Sequence, residues 1–271
     1  MIYFPNSKIN YGLRILNRRE DGYHNLKSAF IPIGWSDVLE VNINMKATPG
    51  SLIFSVKGIE VEGPSENNLV VKAHKLLSED FDLPGLKAVL LKNIPTGAGL
   101  GGGSSDGSFM LKAITQLCDL NLTNEQLETY AAKLGSDCPF FIKNTPALVT
   151  GRGEILEELE CKIQSKEILV IHPGIGVSTA EAFAQLKPNP TPLDYSQPST
   201  ITNDFQDPVC DKVPVVQDAL DFLKDHGGEF TQMTGSGSAV YGLFEIGSVN
   251  GPELVSKAVS KGWKAYFGAF L

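Results

Sequence analysis

Three groups of residues in this sequence are suited to chemistry on a phosphate and an alcohol: a run of glycines, a lysine beside an asparagine, and an aspartate held before a proline. Gly97, Gly99, Gly101, Gly102 and Gly103 fall within seven positions and lead into Ser104, Ser105 and Asp106. Glycine reaches positive φ without strain and has no Cβ to keep a ligand away, so the segment is built for close approach of backbone to ligand. Phe109, Met110, Ala113, Ile114 and Leu117 recur at helical spacing behind it, which makes Ser104 and Ser105 the expected N-caps of a helix. The first N–H groups of a helix lack internal acceptors and the dipole there is positive, so a phosphate chain is the expected guest. A flexible surface loop is the alternative, but a β-like run over Leu86 to Leu91 precedes the glycines and gives them a strand–turn–helix setting. The P-loop pattern fails because Gly103 is followed by Ser104 rather than lysine. Gly97-x-Gly99-x-x-Gly102 matches the dinucleotide fingerprint, yet Leu122 to Leu134 reads as a second helix, with Thr123 and Gln126 as a capping box, where that fold needs a strand.

Residues 8 to 16 alternate, with Ile9, Tyr11, Leu13 and Ile15 on one face and Lys8, Asn10, Gly12 and Arg14 on the other. Such a strand sets Lys8 and Asn10 about 6–7 Å apart, either on a solvated face or in one site. Asp21-Gly22 marks a turn and Leu26 to Ile33 a returning strand, which leaves Tyr23 and His24 on a hairpin loop where they can stack on and hydrogen-bond a base or be incidental. Asn67-Asn68 is expected to cap a helix carrying Leu69, Val70, Ala73, Leu76 and Leu77. Lys92 stands before the glycines, where it can meet a phosphate or an adenine. Gly135 ends the second helix, and Pro139 with Phe140 and Phe141 fixes Asp137 in a turn, as a helix cap or as a site residue.

The surrounding elements read as α+β. Strands are expected at Val38 to Ile43, Leu52 to Val56, Ile168 to Ile171, Phe230 to Met233, Ala239 to Phe244 and Ala265 to Phe270, and helices at Val215 to Lys224 and Glu253 to Lys261. Ser178 and Glu181 suggest a capping box for a short helix with Ala182 and Phe183, and residues 188 to 203 read as a mobile loop. The chain has 271 residues, enough for two modest domains, and a net charge of −8 with no basic stripe, which argues against nucleic acid. Cys118, Cys138, Cys161 and Cys210 are scattered without metal-like spacing, as in a reducing compartment. No signal-like or membrane-spanning apolar run is present, so a cytoplasmic protein without membrane contact is expected.

Ile94-Pro95-Thr96-Gly97-Ala98-Gly99-Leu100-Gly101-Gly102-Gly103-Ser104-Ser105-Asp106 resembles the ATP loop of the GHMP kinases. Lys8-Ile9-Asn10, Gly135-x-Asp137-x-Pro139-x-Phe141 and Thr234-Gly235-Ser236-Gly237-Ser238-Ala239 resemble further motifs of the superfamily, and Asp21-Gly22-Tyr23-His24-x-Leu26 is similar to a segment of its diphosphocytidyl-methylerythritol kinase branch. The resemblance implies a two-domain fold, with an N-terminal domain like domain 2 of ribosomal protein S5 over 1–153 and a ferredoxin-like α/β sandwich over 154–271. It implies ATP and Mg²⁺ as cofactors and phosphorylation of the 2-hydroxyl of 4-diphosphocytidyl-2-C-methyl-D-erythritol, a step of non-mevalonate isoprenoid synthesis. Lys8 and Asp137 are implied as catalytic, and Asn10, Tyr23, His24 and Phe183 as substrate-binding, the two aromatics sandwiching the cytosine. Asn67, Asn68, Lys92, Pro95, Gly97, Gly99, Leu100, Gly101, Gly102, Gly103, Ser104 and Ser105 are implied to bind ATP. The metal ligands stay unassigned, and a monomer or weak homodimer is expected. A homoserine- or mevalonate-type kinase and a non-catalytic nucleotide-binding module are the alternatives.

Overall fold

The computed structural model describes residues 1–177, 182, 186, 188–191, 193–195 and 197–271. Contacts divide the chain into two units that interleave along it: residues 1–7, 36–96 and 101–144 form the first, and 8–35, 97–100 and 145–271 the second. The expected cut between 153 and 154 follows the chain, whereas the long hairpin near the N-terminus joins a sheet with strands that lie beyond residue 145.

In the first unit β1 (Ile2–Tyr3), β4 (Val38–Ile43), β6 (Leu86–Lys92) and β5 (Leu52–Gly58) form a sheet in that order, with β5 and β6 parallel. Leu86, Ala88 and Leu90 of β6 point inward, and the period of two puts Lys92 on the same buried face. Helices α1 (Leu69–Asp80), α2 (Gly102–Leu117), α3 (Asn124–Leu134) and α4 (Phe140–Lys143) complete the unit, and Val70, Ala73, Leu77, Met110 and Ile114 pack into its core. Thr123 and Gln126 form the expected capping box of α3. Asn68 alone caps α1, its side chain accepting from Val70 N, while Asn67 ends a one-turn 3₁₀ helix. Ser104 and Ser105 are not caps: α2 starts at Gly102 behind a left-handed Gly101, so both serines fall inside its first turn. Gly107 lets α2 approach its neighbours, since a Cβ there would lie 2.9 Å from Leu69 Cβ and 3.3 Å from Leu134 Cδ1.

The second unit has two sheets. In one, β2 (Asn6–Arg18), β3 (His24–Ser36), β7 (Ala147–Thr150) and β8 (Ile155–Glu158) lie in sequence order, the first residues of β2 and the last of β3 belonging to the first unit. In the other, β9 (Glu167–His172), β10 (Phe230–Met233), β11 (Val240–Phe244) and β12 (Lys264–Ala269) pair antiparallel in the order β10-β11-β9-β12. Helix α6 (Pro214–Asp225) falls between β9 and β10 and α7 (Gly251–Ser260) between β11 and β12, which is the βαββαβ succession and strand order of a ferredoxin-like sandwich. The periodicity did not disclose α5 (Gln206–Lys212), which lacks a side-chain cap and carries Pro208. The segment expected to be a mobile loop is anchored: Leu193 and Ile201 are buried, and Leu13 bridges to Asn203. Gly12, at φ +73°, leaves room for them, because a Cβ would sit 2.9 Å from Ile201 Cγ2. Among the described residues no helix is long and apolar enough to cross a membrane.

Candidate active site

In the first unit, the turn from β6 into α2 is held from below by three buried charges. Lys92 is 2 % exposed, and its ammonium bonds Asp37 Oδ2 and, at 2.9 Å, Asp106 Oδ2. The other oxygen of Asp37 accepts from Asn93 N at 2.5 Å and Ile94 N at 2.8 Å, so one carboxylate fixes both the lysine and the exit of β6. This corrects the expectation that Lys92 meets a phosphate or the adenine, because a lysine on the core face of a strand needs buried counter-charges and has them here. Burial pushes Lys92 down, but the Asp106 and Asp37 carboxylates outweigh it and the net shift is upward. Burial, reinforced by Asp37 and opposed by Lys92, pushes Asp106 up to about 8. At neutral pH Asp106 therefore keeps its proton and the trio is close to neutral. Its Oδ1 has no partner.

Along the chain between β6 and α2, Gly97, Gly99 and Gly101 have φ of +64°, +76° and +70°. Gly97 and Gly103 are exposed and a Cβ at either would meet nothing within 4 Å, so ligand can reach the backbone there. The N–H groups of Gly102, Gly103 and Ser104 open α2 and have no acceptors within the helix. Ser104 is half-buried, whereas Ser105 is 0 % exposed. Pro95 and Leu100 are buried, so they shape the loop by packing, and a nucleotide side-chain contact from Ser105 or Leu100 is not what the structure offers. Asn67 and Asn68 line a cavity of about 310 Å³ with Phe54, Val56, Val61 and Pro64. Asn67 is exposed there, and Asn68 has committed its Oδ1 to Val70 N.

Asp137 is half-buried in the turn between α3 and α4. The Ser108 hydroxyl of α2 donates to Cys138 O at 2.7 Å and lies 2.9 Å from Ser104 O. Lys112 Nζ donates to Phe141 O at 2.7 Å, and burial lowers its pKa to about 8. Two side chains one helical turn apart thus pin the aspartate's turn against the start of α2.

In the second unit, Lys8 is 3 % exposed, which rules out a solvated strand face. Its Nζ donates to Asn10 Oδ1 at 2.5 Å and Gly99 O at 3.2 Å and stands 4.3 Å over the Phe30 ring. Asn10, expected to touch substrate, is 2 % exposed and donates from Nδ2 to Ser28 Oγ at 2.9 Å, while its backbone N donates to Thr234 Oγ1 at 2.9 Å. It orients Lys8 rather than presenting its own amide. Thr234 Oγ1 also lies 3.2 Å from Gly99 O, and a Cβ on Gly99 would come within 2.2 Å of Thr234 O, so the Thr234 turn closes on the glycine loop.

Tyr23 is 59 % exposed at the hairpin tip, with the Arg152 guanidinium 5.0 Å from its ring centre, and His24 starts β3 beside it. Phe183 lies outside the described residues, as do Ser178 and Glu181. Asp37, Asp106, Ser28, Ser108 and Arg152 were not singled out from sequence. The inward phase of Lys92 on β6 was the available signal for the first two, since it demands acidic partners. Among the described residues no three His, Cys, Asp or Glu gather as a metal cage.

Residues 68–145 match the GHMP kinases N terminal domain. The chain is 43 % identical over 254 residues to the 4-diphosphocytidyl-2-C-methyl-D-erythritol kinase of Bacteroides thetaiotaomicron, covering 90 % of this chain and 92 % of that protein. It is 39 % identical over 254 residues to the protein of the same name from Cytophaga hutchinsonii, with the same coverage. Among solved structures, a 4-(cytidine 5'-diphospho)-2C-methyl-D-erythritol kinase superposes with a TM-score of 0.82 at 29 % identity over 100 % of this chain and 99 % of that one. The Methanococcus jannaschii mevalonate kinase superposes with a TM-score of 0.70 at 14 % identity over 100 % and 98 % of the two chains, a likeness of fold.

Proposed function

Because the chain belongs to the 4-diphosphocytidyl-2-C-methyl-D-erythritol kinases of the GHMP superfamily, we propose how its residues divide the transfer of a phosphoryl group from ATP to the 2-hydroxyl of that substrate. Phosphoryl transfer needs alignment of the reacting oxygens and neutralisation of charge on the phosphates more than covalent help. The open amides of Gly102, Gly103 and Ser104 receive the phosphates. Asn67 and Asn68 flank the adenine in their cavity. Asp137 accepts the proton of the attacking hydroxyl, and Lys8 steadies the alkoxide as it forms. The Ser104 hydroxyl would help to hold Mg²⁺ beside the nucleotide's phosphates, and the ion would supply charge neutralisation. Tyr23, His24 and Phe183 hold the cytosine, with Arg152 fixing the far face of Tyr23. We place the enzyme in the cytoplasm, acting in non-mevalonate isoprenoid synthesis as a monomer or weak homodimer.

The observation that carries this reading is the Lys8 ammonium bonded to the carbonyl of Gly99, just ahead of the helix start whose amides are open. An ADP-release assay tests it. Release should require the diphosphocytidyl substrate, and homoserine or mevalonate in its place should give background rates. Turnover with either of those alcohols, or none with the cytidine compound, would overturn the assignment. Tyr23→Ala should raise KM for the cytidine substrate about tenfold or more and spare ATP.

A further inference from the structure

On the face of β2 opposite Lys8 and Asn10, the second unit contains a cavity of about 690 Å³ that the phosphoryl transfer does not use. Its volume is that of a small-molecule site. Tyr11, Tyr195, Phe230, Leu243, Ile163 and Cys161 supply its apolar walls. Tyr11 meets Phe230 edge-on with ring centres 5.3 Å apart and Tyr195 at a tilt at 6.1 Å, so rings stand at several angles around one space. Tyr11 itself is 2 % exposed, so the half-buried Tyr195 and Phe230 are the rings that a further flat ring can meet.

The chemistry of the lining narrows the guest. The interior is uncharged at neutral pH: burial pushes Tyr11 up to about 12, lifts Tyr195 further and raises the Cys161 thiol as well. The Tyr195 hydroxyl oxygen is buried and makes no hydrogen bond, so a donor stands ready for an acceptor. The rim is acidic. Lys166 is its cation, and that ammonium is already bonded to Glu229 at 2.7 Å and to Glu245, while Glu160 adds another carboxylate. An anion, including any nucleotide or diphosphate, meets like charge at the mouth, and the cation among the lining residues is already paired.

We propose that this cavity is a second small-molecule site that takes an uncharged, planar aromatic molecule bearing one hydrogen-bond acceptor. Its occupant stacks on Tyr195 and Phe230 and accepts from the Tyr195 hydroxyl.

Prodan, an uncharged naphthalene ketone whose emission shifts on leaving water, probes it with the full chain. Titration should give saturable one-to-one binding that saturating Mg-ATP leaves in place. Cys161→Trp, which fills the cavity, should weaken binding at least ~10-fold, and Tyr195→Phe a few-fold by removing the donor. Anilinonaphthalene sulfonate, of similar shape but anionic, should bind at least ~10-fold more weakly, with the gap narrowed by Glu229→Gln. An unchanged thermal melt of Cys161→Trp keeps loss of fold from passing as loss of site, and Leu243→Trp serves as the filling variant if Cys161→Trp melts early. Absence of saturation, displacement by ATP, indifference to both filling variants, or equal affinity for the sulfonate would each overturn the proposal.

Discussion

Two buried lysines, one in each unit, are held by different sets of hydrogen-bond partners. Lys92 in the first unit is 2 % exposed and bonded to two carboxylates, Asp37 and Asp106. Lys8 in the second is 3 % exposed, and its own unit gives it an amide oxygen, a backbone carbonyl and a ring face. Carboxylates cancel a charge as well as holding it, whereas the amide oxygen of Asn10 and the carbonyl of Gly99 fix the direction of the Lys8 ammonium. The first arrangement suits a fixed support beneath a phosphate loop. The second fixes where the ammonium points, which is what the proposed role of Lys8 beside a developing alkoxide requires.

The sharpest way to break the contrast is to remove each charge with little change of shape. Lys8→Met should lower kcat by about 10²–10³, the range for losing one preorganised electrostatic partner of a transition state, and leave KM for ATP within a few-fold. Asp137→Asn should lower kcat by roughly 10² or more with little effect on nucleotide affinity, as for loss of a positioned base. Steady-state kinetics checks both, and normal turnover by either would remove its residue from the chemistry. Lys92→Met should behave differently. It strands the buried Asp37 carboxylate and takes a donor from Asp106, at a cost of about 3–5 kcal/mol, and should lower the melting temperature by roughly 10 °C. If Lys8→Met destabilises as much as Lys92→Met, the two lysines are both structural and the comparison fails.

Much of this was legible from residue pattern, and the exceptions share a cause. Alternation along residues 8 to 16 located β2, and runs of branched and aromatic residues located β4 and β10 to the residue. Thr123 with Gln126 identified the start of α3 because a capping box is a local device. The start of α2 was misplaced because a left-handed Gly101 does the work that a serine side chain would otherwise do, and a sequence rich in glycine does not say which one turns. The 188–203 segment looked mobile because its Pro, Asn and Ser content hides Leu193 and Ile201, whose packing depends on the space left by distant Gly12. Lys8 and Asn10 were found by their spacing, but their buried state is set by Ser28 and Thr234, which are remote in sequence. The partnership of Lys92 with Asp37 and Asp106 is likewise a matter of tertiary contact, although its inward phase on β6 was visible.

The acidic side of the Lys92 cluster gives a smaller and more specific test. Asp106 has its folded pKa raised to about 8 by burial, above the ordinary carboxylate value. Between about pH 4 and pH 8 the folded chain therefore holds a proton that the unfolded chain has released, so stability contributed by this group is full in acid and falls as pH rises, levelling off above 8. Asp106→Asn removes the titration. The slope of melting temperature against pH should flatten over that window, with the variant gaining most on the parent near pH 8. Parallel profiles would mean that Asp106 is ionised throughout and that the trio carries a net negative charge.

The smallest effect is expected at Ser28, where the hydrogen bonds that orient Lys8 can be loosened without removing a charged side chain. Its Oγ accepts from Asn10 Nδ2 at 2.9 Å and donates to Gly12 O at 2.6 Å, so it sets the amide that sets the lysine. Ser28→Ala leaves the Asn10 Nδ2 and the Gly12 carbonyl buried with one partner fewer, a loss of about 1–3 kcal/mol of stability. If Lys8 is held in place for chemistry, the freed amide should also let the ammonium wander, and kcat should drop about 3–10-fold with KM for ATP unchanged. Ser28→Thr restores the hydroxyl and should recover most of kcat if its methyl group is accommodated. A drop in melting temperature with no change in kcat would show that Asn10 holds Lys8 well enough through the Lys8–Asn10 bond alone, and that the orienting shell ends there.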